Sequence, residues 1–157
     1  MNAEKKEFLH YRFPILLRQI RSDQQPAWGK MTLQQMIEHF SDSVRIASGK
    51  TVHTEILTPA ENLERMRDFV MSEKPFRENT PNPLMPETPA PVVNLSVEEA
   101  IAELRKELNE FFAVFEHNPL LVTRNPFFGD LNFEQNVQLL HKHALHHLKQ
   151  FGIDVQL

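Results

Sequence analysis

Cysteine is absent from this chain of 157 residues, which excludes a disulfide framework, a thiolate metal site and a cysteine nucleophile. Glycine is scarce, with 4 in all, and no Gly-rich phosphate loop or Ser-His-Asp spacing is present. Positive charge is short as well: 17 Lys and Arg stand against 21 Asp and Glu, a formal net charge of -4. With the basic residues scattered, the footprint for holding phosphate backbones is missing, and no nucleic-acid partner is expected. No apolar run approaches the ~18 residues that cross a bilayer. The opening MNAEKKEFLHYRF has no apolar region of the kind a secretory signal needs. A cytoplasmic protein with no membrane partner is the expectation.

What the chain does contain is the balance of an ordinary folded domain, 41% hydrophobic and 24% charged. At this length roughly 70% of the unfolded surface can be buried, so one domain over residues 1–157 is expected. Glu, Leu, Gln and Lys are plentiful and favour helix. From Glu4 to about Ser22, Phe8, Tyr11, Ile15, Leu16 and Ile20 recur at helical steps. Pro14 interrupts them and predicts either a kink or a fresh start with Pro14 in the first turn. A loop from Ser22 to Lys30 follows, in which the single Trp, Trp28, reads as an aromatic anchor.

Thr32 and Gln35 form a capping box that opens a helix ending at Gly49, with Leu33, Met36, Ile37, Phe40, Val44 and Ala47 as its core stripe. Residues 50–58 are ambiguous and briefly extended, and Pro59 to about Met71 is a short helix carrying Leu63, Met66 and Val70. Residues 75–94 hold Pro75, Pro81, Pro83, Pro86, Pro89 and Pro91, too many for a helix or a central strand, and read as a stiff crossover. Ser96 and Glu99 form another capping box, opening a helix to about Phe115 whose stripe is Ala100, Ile101, Leu104, Leu108, Phe111, Phe112 and Phe115. A loop from His117 to Leu131 with Phe127 and Phe128 at its tip leads to the last helix, capped by Asn132 and stopped at Gly152. No internal repeat is visible.

The stretch Leu140-His141-Lys142-His143-Ala144-Leu145-His146-His147-Leu148 holds four of the 8 histidines. His143 and His147 are four apart, which on a helix sets their Cβ atoms ~5–6 Å from each other. With Val137, Leu140, Ala144, Leu148 and Phe151 as the core stripe, they fall on one edge, roughly 100° and 60° from its centre. His141 falls toward the other edge, and His141 and His146 point away from the pair. His39 lies roughly 110° from the centre of its own helix's stripe, so it is the candidate third ligand. Three neutral imidazoles converging on one ion is one reading of His39, His143 and His147. Boundary histidines bonded to carbonyls or water is the other. Glu38, Asp42 and Glu134 are candidates to orient a ligand imidazole. His10, His53 and His117 have no partner at ligand spacing.

Two segments taken together carry a resemblance: Trp28-Gly29-Lys30-Met31-Thr32 leading into Gln35-Met36-Ile37-Glu38-His39, and Phe128-Gly129 followed by Lys142-His143-Ala144-Leu145-His146-His147-Leu148-Lys149-Gln150-Phe151-Gly152. The chain resembles the DinB-like superfamily of metal-binding four-helix bundles, in particular a bacterial subfamily of unknown function. That family has a histidine in helix 2 and His-x-x-x-His on the last main helix, matched here by His39, His143 and His147. The resemblance covers nearly the whole chain in helix order, with the Pro-rich middle matching poorly. It implies an all-α four-helix bundle with a long Pro-rich crossover, a short extra helix and a metal near one end.

The superfamily includes metal-dependent thiol transferases using bacillithiol or mycothiol, maleylpyruvate isomerase-like enzymes, and many proteins with no known activity. The resemblance implies a divalent metal ion (zinc, nickel, manganese or iron) that lowers the pKa of a bound water or takes an incoming thiol as thiolate, for transfer or hydrolysis. A small-molecule thiol, an electrophile and a second copy of the chain are the expected partners, and no residue is assigned a catalytic role. The alternative is a non-catalytic metal- or ligand-binding stress-response module. A purely structural helical dimer is a third reading.

Overall fold

Proline sets the shape of the first helical run in the computed structural model, which describes residues 2–78 and 88–155. Helix α1 (Asn2–Glu7) passes into a π-helical segment (Phe8–Arg12) and then into α2 (Phe13–Gln19), with Pro14 in the first turn of α2. The Phe13 N–H bonds to the Phe8 carbonyl, five residues back. Pro14 has no N–H to offer, and the wide turn puts that missing donor at the seam between two ladders. Of the two expectations at Pro14, the fresh start holds, preceded by a π turn whose extra residue turns the following side chains by about 100°. Leu9, Phe13, Leu17 and Ile20 are buried at ordinary helical steps, and the π turn brings Phe8 round to stack on Phe13, whereas Tyr11 and Ile15, expected inside, are 60% and 52% exposed.

Helix α3 (Leu33–Ser48) is closed at both ends as its sequence dictates. The Gln35 N–H donates to Thr32 Oγ1 at 3.1 Å and the Thr32 N–H to Gln35 Oε1 at 2.9 Å. Gly49 ends it at φ 81°, and the six stripe residues are all buried. A Cβ on Gly49 would sit 3.2 Å from Thr123 Cγ2. Gly49→Ala is therefore expected to cost about 1–2 kcal/mol in urea unfolding, from the left-handed backbone and this contact together.

Residues 50–58 form no strand, and a 3₁₀ turn (Ala60–Asn62) leads into α4 (Leu63–Met71). Helix α5 (Val97–His117) is capped by Ser96, but the reciprocal bond is shifted. Glu99 accepts from the Leu95 N–H at 3.2 Å, one residue before the cap. All seven expected stripe residues of α5 are buried.

The loop expected over 117–131 contains a hairpin, with β1 (Thr123–Asn125) antiparallel to β2 (Gly129–Leu131) and Asn125 opposite Gly129. Asn125 Oδ1 accepts from the Phe127 and Phe128 N–H groups at 2.9 and 3.2 Å, which fixes the turn around Pro126. Phe128 is thereby folded inward rather than held at an exposed tip. Helix α6 (Phe133–Gln150) follows from the Asn132–Gln135 capping box.

The chain is thus mostly helical with one small sheet. The main core joins α1–α2, α3, α5 and α6. A second apolar cluster of Val70, Phe128, Leu131 and Leu139 lays α4 and the hairpin on another side of α6. Being covered on two sides, α6 buries polar residues as well, among them Asn136, Gln138, His141, Lys142, His147 and Gln150. Asn136 Nδ2 donates to Thr123 Oγ1, which donates to the Ala47 carbonyl, so hairpin, α3 and α6 share one buried polar chain.

In the Pro-rich stretch, Pro75, Pro89 and Pro91 lie in neither helix nor strand. Pro81, Pro83 and Pro86 lie outside the described residues. The returning end is fastened to α3, where Glu38 accepts from the Val93 and Asn94 N–H groups at 2.7 and 3.0 Å. Among the described residues no helix is long and apolar enough to cross a membrane.

Candidate metal centre

His39 lies midway along α3 and His143 and His147 stand one turn apart on α6. The structure brings them together: one ring nitrogen from each lies within 4.8 Å of the others. Each position follows from its helix phase. His39 borders the buried residues Met36 and Phe40, and His143 borders Ala144, so all three rings leave the flanks of stripes that pack on one another. The His39 ring meets those of His143 and His147 edge to face, at centroid distances of 5.2 and 5.3 Å. Phe40 stacks on His143 at 4.9 Å. His147 is buried, and His39 and His143 are partly so.

Burial keeps these imidazoles uncharged. Desolvation, aided by the neighbouring His146, lowers His39 from the usual 6.5 to about 4. Desolvation and the nearby His39 lower His147 to about 3, against an opposing bond to Gln150. His143 is pushed well below its usual value by burial first and then by His147 and His39. The folded values lie below the unfolded one, so the unfolded chain binds more protons between about pH 6.5 and 4. Their contribution to stability is therefore complete above about pH 6.5 and falls as pH drops through that window. A metal-free sample should show a lower urea midpoint at pH 5 than at pH 7, and part of that difference should vanish in His39→Ala.

Hydrogen bonding fixes the protons. Gln150 Nε2 donates to the Trp28 carbonyl at 2.9 Å, so its Oε1 is the atom facing His147 Nδ1 at 2.8 Å. An amide oxygen only accepts, hence His147 Nδ1 carries the proton and its Nε2 presents a lone pair. That lone pair lies 2.7 Å from His143 Nε2, which donates to it in the metal-free chain.

The carboxylates named from sequence are engaged elsewhere. Glu38 holds the 93–94 backbone, Asp42 pairs with Arg45 at 2.7 Å, and Glu134 is exposed at the start of α6. None is bonded to a ring of the trio among the described residues. The partner that sequence reasoning missed is Gln150, three residues after His147 and so on the same face of α6.

His146 does not point away as expected. Its ring lies 5.1 Å from that of His147, between Trp28 at 5.3 Å and Phe76 at 5.9 Å. His141 is indeed apart, buried edge-on against Phe8, and its Nε2 has no hydrogen-bond partner among the described residues. His10 stacks between Tyr11 and Phe112.

The residues present fit a divalent cation. Three imidazoles converge, uncharged at neutral pH, and two of them share a hydrogen bond that a cation would replace, the His143 proton moving to its Nδ1 or to solvent. Bonds of 2.0–2.1 Å at tetrahedral angles place donors roughly 3.3 Å apart, so the Nε2 pair needs to open by only about half an ångström. An open groove of about 670 Å³, lined by residues including Ile20, Gln34, Val92 and Ile101, contains none of the three histidines. Comparison with family models, curated proteins and solved structures returned no match.

Proposed function

We propose that the chain is a DinB-like four-helix bundle holding one divalent cation through His39, His143 and His147. In this reading α1–α2, α3, α5 and α6 serve as the four long elements and α4 as the short extra helix of the crossover. The observation that carries it is the convergence of three uncharged ring nitrogens from two helices far apart in sequence. Imidazole donors suit zinc, nickel and iron, and manganese remains in the set to be assayed. A cation held there supplies Lewis acidity toward a thiol or a water. The chain's own part is to keep three imidazoles uncharged, to orient His147 through Gln150 and to limit water by burial. The reaction class is thiol transfer or hydrolysis, with a small-molecule thiol and an electrophile as partners.

Elemental analysis of untagged protein tests the site. One ion per chain is expected; a content well below one, unchanged by His143→Ala, removes the reading. The second reading, a binding module without turnover, has one observation in its favour: Glu38 and Asp42 are tied to backbone and to Arg45, which leaves neither as a base beside the trio. Metal-loaded protein assayed with a thiol and a panel of electrophiles separates the two, and silence across the panel favours the second.

The depressed histidine values add a pH signature. Protons compete for an ordinary histidine site below about pH 6.5 and weaken it up to tenfold per unit per ligand. With His39 and His147 uncharged down to about pH 4 and His143 held well below its usual value by burial, zinc affinity should change less than about threefold between pH 7.5 and 5.5 in isothermal titration.

A further inference from the structure

Gln150 touches both the candidate centre and the loop that carries the only Trp. Its Oε1 accepts from His147 Nδ1 at 2.8 Å, its Nε2 donates to the Trp28 carbonyl at 2.9 Å, and its backbone carbonyl accepts from the Ala27 N–H at 2.7 Å. Gly29 approaches so closely that a Cβ there would lie 3.2 Å from Gln150 Nε2. The Trp28 ring itself rests against His146, the residue before His147. The loop from Ala27 to Gly29 is therefore fastened to one buried residue, through its backbone at Ala27 and its side chain at Trp28, and the other end of that side chain holds a histidine of the trio.

We propose that Gln150 is a positioning residue that fixes His147 as the Nδ1–H tautomer and couples occupancy of the three-histidine centre to the seating of the Trp28 loop. The coupling half rests on the metal reading above, and the tautomer half does not. The physical basis is polarisation along a short chain of hydrogen bonds. When the His147 Nε2 lone pair is given to a cation, the Nδ1–H becomes a stronger donor to Gln150 Oε1. The amide is polarised in turn, and its N–H becomes a stronger donor to the Trp28 carbonyl. Only a side chain with both an acceptor and a donor transmits this. A carboxylate in the same place accepts from His147 but has nothing to give to Trp28, and an alkyl group does neither.

The test compares wild type, Gln150→Glu and Gln150→Ala, each first shown to be folded by circular dichroism, using zinc alone as the probe and Trp28 emission as the loop's readout. Wild type should bind zinc with a change in Trp28 emission. Gln150→Glu should bind zinc within about threefold of wild type or tighter, with that change lost. Gln150→Ala should lose about 10- to 100-fold in affinity and the emission change as well. Wild-type affinity in Gln150→Ala overturns the positioning role, and an intact emission change in Gln150→Glu overturns the coupling. Nitrogen-15 shifts of the metal-free histidines give the independent arm. His147 should be Nδ1–H in wild type and a tautomer mixture in Gln150→Ala, and Nε2–H in wild type overturns the lock. If wild type binds no zinc, the metal reading and the coupling fall together, while these shifts still decide the lock.

Discussion

Zinc supplied at a thousand times its dissociation constant should raise the unfolding free energy of the wild-type chain by about 4 kcal/mol, and His143→Ala should abolish the gain. His143 is the member of the trio to remove because it touches both others, His147 through the 2.7 Å nitrogen contact and His39 edge to face. Loss of one donor from three lowers affinity further than the roughly 10- to 100-fold typical of outer partners, so at the same zinc concentration the linkage term falls toward zero. Two controls make the result specific. His141→Ala removes a buried histidine of the same helix, and His10→Ala removes one stacked against Phe112; both should keep the full gain. Urea unfolding with zinc and with a chelator reads all four chains. An unchanged gain in His143→Ala refutes the three-histidine centre, whatever the metal content of the purified protein.

How much of this could be read in advance depends on what kind of signal each feature leaves. Helices α3, α5 and α6 keep one period from cap to stop, so every residue assigned to their stripes is buried. The first helical run does not keep its period. A stripe started at Phe8 with a constant 100° step places Tyr11 and Ile15 inside, but the π turn at Phe8–Arg12 pairs Phe8 with Phe13 instead, and the buried face runs through Leu9, Phe13 and Leu17. The hairpin was invisible because each strand has three residues, too few to show alternation. The segment therefore reads as a loop with Phe127 and Phe128 at its tip, and nothing local says which residues pair across it.

The candidate site divides in the same way. A shared helix announces the pairing of His143 with His147, whereas the approach of His39 is a tertiary fact that spacing alone does not contain. Glu38 was singled out by adjacency to His39, yet one step along a helix turns a side chain by about 100°, and it faces the returning crossover instead. Helical spacing, applied to the pair itself, would have pointed to Gln150 at three residues from His147. His146 was set aside by the same wheel, and it lies near the trio because Trp28 and Phe76 from other parts of the chain close around it.

Phe40→Ala should be the most damaging single change, since this ring belongs to the core and to the site at once. It is fully buried, meets Phe13 at 4.8 Å and stacks on His143 at 4.9 Å. Truncating a buried Phe costs about 3–5 kcal/mol through lost transfer energy and the cavity left behind. A second effect is separable from the first. The stacked ring limits how far His143 can tilt, so its loss should lower zinc affinity about tenfold in protein that is still folded, as loss of a supporting partner does at other metal sites. Phe111→Ala is the control, because Phe111 is equally buried but packs on Phe112, Phe115 and Phe133 and, among the described residues, stacks on no histidine. It should destabilise by a similar amount and leave zinc affinity in the folded state unchanged. Urea unfolding measures the first quantity and zinc titration, under conditions where both variants are native by circular dichroism, the second. Equal affinities in the two variants reduce Phe40 to packing alone, whereas weaker binding confined to Phe40→Ala means the core itself aims His143.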